Sequence, residues 1–194
     1  HKSIAVVGSR KISAVGAKLA YNAGSIIGKN GFNLVNGLAL GCDAEALKGA
    51  LAAGGKCAVV LPCGINEIYP KSNQWIAEEV LKQGGCLISE YPEGTRPEKY
   101  RFVQRDRLQS GMSQGVLVVE AMEKSGTMHT AEYAKKQNRR LACYYHGLLK
   151  YSTGNNVLEN LYQAAVIKTN EDLENYLCEI ADIEEYTQLS FDFV

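Results

Sequence analysis

No apolar run in the chain approaches the 18 or more residues that a membrane-spanning helix needs, and the N-terminus lacks the basic, apolar and small-residue segments of a secretory signal. The expectation is a soluble, cytoplasmic protein. The six cysteines (Cys42, Cys57, Cys63, Cys86, Cys143 and Cys178) include no CxxC pair and have no histidine at ligand spacing. That pattern argues against a metal site and against a secreted disulfide framework, and leaves the cysteines as small buried hydrophobes. Internal repeats, low-complexity tracts and any clear linker before about residue 184 are also lacking. A dinucleotide fingerprint is missing as well: after the first apolar run, residues 8 to 13 supply only the first glycine of GxGxxG, which removes NAD. Basic side chains all but disappear from the end of the chain, where residues 151–194 hold one Lys against nine acids.

What is present is enough for one compact domain: 194 residues, 46% of them hydrophobic. We place it at residues 2–184, with an acidic helix near 170–184 and a loose tail over 185–194. Residues 1–150 carry 20 Lys and Arg against 12 Asp and Glu, so a formal net charge of zero hides a basic body and an acidic end. A basic body suits a polyanionic partner. A dipolar charge pattern that serves only solubility fits the same counts.

Short apolar runs alternate with helical stretches. Runs at 4–7, 32–35, 57–61, 86–88, 116–119 and 141–144 read as strands; 13–29, 43–53, 73–83 and 128–138 read as helices. A long loop follows Ile88. After residue 155 come a helix, the short strand 165–167 and the acidic helix. Continuous apolar strands in βαβ order predict an α/β fold with a mostly parallel sheet covered on both faces. Right-handed crossovers then bring the C-terminal ends of the strands to one rim, where ligands of open α/β sheets bind.

The segments expected at that rim carry the unusual chemistry. Gly8-Ser9-Arg10 sets a guanidinium beside the amides of a turn, suited to gripping phosphate oxygens. A surface arginine is the plainer alternative. Gly37 and Gly41 let the chain pass close to a partner, with Asp43 read as the N-cap of the next helix. In residues 96–107, Arg96, Lys99, Arg101, Arg105 and Arg107 interleave with Tyr100 and Phe102. A helix starting near Tyr100 would place Arg101 and Arg105 on one face beside Phe102, a charged track with a stacking ring; a core Phe102 and a solvated charged face would look the same. Lys124, Ser125, Gly126 and Thr127 precede a helix and could cradle a phosphate. Glu132, with His129 nearby, could act as acid or base or serve as a dipole partner.

These stretches together resemble the DNA-processing protein A family, the DprA or Smf proteins. "VGSRK" (7–11), "GLALGCDAEALKGALAAGGK" (37–56), "VLPCGINEIYPKSN" (60–73), "LISEYPEGTRPEKYRFVQRDRLQSGMSQGVLVVEA" (87–121) and "KSGTMHTAEYA" (124–134) carry the likeness in order and spacing. The resemblance implies an extended Rossmann-like three-layer fold that dimerises, binds single-stranded DNA and helps load a RecA-like recombinase during natural transformation, with no cofactor and no catalysed reaction. By motif position it implies Arg10 as the phosphate-gripping arginine, Lys99 and Phe102 as the lysine and aromatic of the basic loop, and Arg105 and Arg107 as an arginine pair. The family usually writes that pair Arg-Asn-Arg; here Asp106 stands between them. Residues 41–43 read Gly-Cys-Asp in place of Gly-Ile-Asp, Leu47 stands where a His is usual, and residues 144–147 replace the usual Val-Pro-Gly. The tail residues Gln188, Leu189, Phe191 and Phe193 resemble peptides that dock on the bacterial sliding clamp. The alternative is a nucleotide-binding or nucleotide-hydrolysing enzyme or sensor related to phosphoribohydrolases. Against it stands the spacing from Gly126-Thr127 to Glu132, one residue longer than in those enzymes.

Overall fold

The computed structural model describes residues 2–181, built around a sheet of seven parallel strands. In chain order these are β1 (Ser3–Val7), β2 (Asn33–Asn36), β3 (Cys57–Val60), β4 (Cys86–Ile88), β5 (Gly115–Val118), β6 (Arg140–Tyr144) and β7 (Ala165–Ile167), and across the sheet they run β4-β3-β2-β1-β5-β6-β7. Parallel pairing requires crossovers. Seven α-helices supply or flank them: α1 (Ala14–Lys29), α2 (Cys42–Ala52), α3 (Gln74–Lys82), α4 (Lys99–Gly111), α5 (Gly126–Lys136), α6 (Thr153–Leu161) and α7 (Asn170–Ala181). Among the described residues no helix is long and apolar enough to cross a membrane.

The two faces of the sheet separate by the period-2 alternation of each strand. In β1, Ile4 and Val6 pack with residues of α1, α2, α3 and α7 such as Ile27, Leu47, Ile76 and Leu177. Ala5 and Val7 pack on the opposite side with Met128 and Ala131 of α5 and Leu158 of α6. The result is a three-layer α/β sandwich of the Rossmann type, as the strand pattern predicts. α1 and α2 lie unusually close: a Cβ on Gly24 would collide with the carbonyl of Ala46, and one on Gly49 with the carbonyl of Tyr21.

Strand pairing turns on β1. From it the chain builds outward through β2, β3 and β4, then returns through α4 to lay β5 against the other side of β1. Ligands of open α/β sheets bind at such a reversal of strand order, outside the carboxyl ends of the strands. Most of the expected long loop after Ile88 is this return, and half of it is helix: α4 spans 13 residues. Helix α2 differs in its cap. Gly41 occupies the N-cap position, and Asp43 lies inside the first turn, where its Oδ2 accepts from the amides of Gly37 (3.0 Å) and Ala39 (3.2 Å). It closes the loop before the helix instead of capping the helix itself.

Candidate functional site

The loops leaving β1 and β5 are tied together by one carboxylate. Glu120, fully buried just beyond β5, accepts from the amide of Ser13 at 2.7 Å and from that of Tyr151 at 3.0 Å, while its backbone carbonyl takes the amide of Ser9 at 2.7 Å. The turn after β1 is held from the other side by α2. The amide of Cys42 donates to the carbonyl of Ser9 at 3.1 Å, and Gly41, at φ 74°, passes so near that a Cβ there would sit 2.5 Å from that carbonyl. A Cβ on Gly8 would lie 2.7 Å from the Cys42 sulfur. Glycine is needed at both points, and Arg10 is delivered to the rim by a fixed backbone.

Beside this turn opens a cavity of about 840 Å³, lined by the β1 turn, α4 and the N-terminal end of α5. Arg10, Lys11 and Lys99 are its exposed cations, and Ser125, Gly126 and Thr127 meet it at the start of α5. Phe102 stands in the wall. Arg10 lies over its ring at 4.9 Å, and Tyr69, 44% exposed, meets it edge-on at 5.6 Å. Arg10, Lys99 and Phe102, which lie up to 92 residues apart in sequence, thus converge on one cavity.

Other residues singled out from the sequence sit elsewhere. Arg105 lines the floor of the cavity but is only 4% exposed: its Nη1 donates to the carbonyl of Val60 at 2.9 Å, its Nε lies 3.5 Å from Asp106, and Gly37 packs flat against its guanidinium. Gly37 therefore makes room for an arginine of the same chain. Arg101 does not line the cavity; it bonds the carbonyl of Arg96, pairs with Glu98 at 2.9 Å and stacks on Tyr91 and Tyr100. Arg107 is bound by both oxygens of Glu90 at 2.7 Å, again outside the cavity. Arg101 and Arg105 lie four residues apart on one helix as expected, but the charged track expected of them is corrected: one is spent on surface partners and the other is interior. Lys124 is exposed and does not line the cavity. His129 lines it, with Glu132 3.9 Å from its ring. Gln188, Leu189, Phe191 and Phe193 lie outside the described residues.

Sequence reading singled out Arg105, Asp43 and Asp106 but did not join them into a floor, and it passed over Gln109. Asp106, Gln109 and Asp43 lie there with Arg105. Burial pushes the Asp106 carboxyl up to about 6; Arg105 pulls the other way, and the Asp43 charge adds to the rise. Burial also raises Asp43, against Arg105 and its two amide bonds. Tyr69 and Glu120 were missed as well, the first because nothing local marks an aromatic 33 residues from its partner ring.

A parallel α/β fold with a cationic, partly aromatic crevice at the reversal of strand order is a setting in which backbone amides and side-chain cations can hold anionic groups. Comparison with known proteins makes the assignment specific. The family model of DNA recombination-mediator protein A matches residues 1–177, and the chain belongs to that family. Protein Smf of Escherichia coli is 41% identical over 138 residues, which are 71% of this chain and 37% of that protein; DNA processing protein DprA of Bacillus subtilis is 36% identical over 140 residues, 72% of this chain and 47% of that one. The chain thus spans less than half the length of either relative. DNA processing protein A from Helicobacter pylori, whose structure is described for its single-stranded DNA binding mode, superposes with a TM-score of 0.83 at 29% identity, covering 94% of this chain and 81% of that one.

Proposed function

We propose that this chain binds single-stranded DNA at the crevice between β1, α4 and α5 and takes no part in covalent chemistry. The observation that carries the reading is the convergence of Arg10, Lys99 and Phe102 on one cavity. Cations and helix-start amides there suit phosphate, and a partly exposed ring suits a base, since base–aromatic stacking contributes ~1–3 kcal/mol. Membership of the DNA recombination-mediator family and the Helicobacter pylori likeness point the same way. The site residues of this reading are Gly8, Ser9, Arg10, Lys99, Phe102, Ser125, Gly126 and Thr127, with Gly37, Gly41 and Arg105 shaping it from behind.

Fluorescence anisotropy with a labelled oligonucleotide tests it. Binding that weakens steeply with salt is expected, and Arg10→Ala or Phe102→Ala should weaken it about tenfold or more. A flat titration at low salt would sink the reading. Its finer parts are a role in DNA uptake or recombination through a RecA-like recombinase, a cytoplasmic location, and a homodimer. Sedimentation velocity decides the last of these. Clamp docking through the tail would be checked by pull-down after deleting residues 187–194. A nucleotide-hydrolysing role is favoured only by the cavity's size and by His129 within it, and incubation with AMP or CMP should release no free base.

A further inference from the structure

The cavity is electrically polarised in a way that the proposed phosphate grip does not use. Its mouth is cationic, whereas its floor places two carboxylates, Asp43 and Asp106, against the single guanidinium of Arg105. Asp43 is consumed by the amides of Gly37 and Ala39. Asp106 is not: its Oδ1 takes the Nε2 of Gln109 at 2.9 Å and faces Arg105, and among the described residues no donor reaches its Oδ2. Because the Gln109 amide nitrogen is committed to Asp106, its oxygen is left as an acceptor, and that oxygen has no partner although the residue is only 2% exposed. Asp106 and Gln109 both line the cavity, so each brings to its floor an acceptor oxygen with no donor among the described residues. The Gln109 oxygen, buried in this way, carries a desolvation cost, whereas the Asp106 Oδ2 is the acceptor that stays open to a ligand N–H.

We propose that Asp106 and Gln109 form a base-reading floor that favours nucleotides whose base carries an exocyclic amino group over thymine. The inference rests on the single-stranded DNA reading above and specifies which bases the same site takes. Adenine, cytosine and guanine each bring an NH₂ group, with two donors on one nitrogen. Thymine brings one ring N–H flanked by two carbonyls, each of which would face an acceptor oxygen. With the phosphate held at Arg10 and Lys99 and the ring against Phe102, the base edge is the part of the nucleotide left to meet the floor. At about pH 7.5 the Asp106 carboxyl, with its value near 6, is mostly ionised and acts purely as an acceptor. The same side chain accounts for the departure at residue 106: an amide there would offer a donor as well as an acceptor and would read both kinds of base.

The test compares labelled oligo-dC and oligo-dT of about 20 nucleotides on the full chain at one salt concentration near pH 7.5. Oligo-dC should bind roughly tenfold tighter, the ratio expected of one hydrogen bond to a charged group. Asp106→Asn should bring the two affinities to within about twofold by strengthening oligo-dT. An oligonucleotide of N4,N4-dimethylcytosine, which keeps the ring and removes both donors, should fall to the level of oligo-dT on the unmutated protein, so the proposal does not depend on a variant folding. Equal affinities, tighter oligo-dT, an unchanged ratio in Asp106→Asn, or full-strength binding of the dimethylated strand each overturns the base-reading floor while leaving DNA binding intact. Salt-insensitive failure to bind either strand would instead remove the DNA reading itself.

Discussion

Two arginines of this chain look alike in sequence and do opposite work. Arg10 is exposed, and its removal should change unfolding free energy by no more than about 0.5 kcal/mol while weakening anion binding. Arg105 is interior and compensates Asp43 and Asp106, so Arg105→Ala leaves buried carboxylates unpaired and should cost about 3–5 kcal/mol in urea unfolding. An effect on ligand binding without loss of stability would contradict that assignment. The motif marks both arginines but cannot tell which one the sheet covers. Asp106 adds a pH signature. Its folded-state value near 6 lies above the unfolded value of 3.8, so the native state holds the proton more tightly, and its share of stability is complete below the unfolded value and lost as pH rises through about 6. The difference in unfolding free energy between the unmutated protein and Asp106→Asn should therefore shift between about pH 4 and pH 7, by up to about 3 kcal/mol, in favour of the Asn form at the upper end.

At the level of single elements, legibility follows from what each element buries. Strands β1, β3 and β5 bury apolar side chains on both faces and read directly as apolar runs. Helix α4 buries Arg105, Asp106, Gln109 and Ser110, so its interior stripe is polar and leaves no apolar period to find. Much of the expected long loop is therefore helix, as the condition of a helix starting near Tyr100 allowed, but its polar interior face was not read. Contact between α1 and α2 was equally invisible, since the glycines that permit it are scattered among ordinary helix formers. Gly49→Ala should lower stability by roughly 1–3 kcal/mol, because a methyl group there meets the backbone of Tyr21, where no rotamer change can relieve it. Thermal unfolding measures it, and a neutral result would mean the helices separate easily.

Over the whole molecule, the βαβ rhythm foretold a sandwich, and the order of strands supplied what the rhythm could not: which two loops share the crevice at the strand ends. Net charge was a coarse guide. The basic body proved to hold many cations already engaged, such as Arg101 and Arg107, and only a few free at the cavity. If Arg10, Lys11 and Lys99 are the cations that meet phosphate, the logarithm of affinity for single strands should fall against the logarithm of salt with a slope near −2, at about −0.7 per phosphate. A slope twice as steep would move the main contact onto other parts of the basic surface.

The wall and base of this crevice are drawn from the span between Val7 and Tyr151, and its centre exists only once β5 has slotted against β1, more than a hundred residues after β1 was made. During synthesis, a nascent chain that has emerged only through β4 already owns Arg10 and yet has nothing to grasp with it. On the reading proposed above, capacity to hold a strand would arrive only with closure of the sheet, so that an unfinished or misassembled copy would be a poor competitor for the ligand of a finished one.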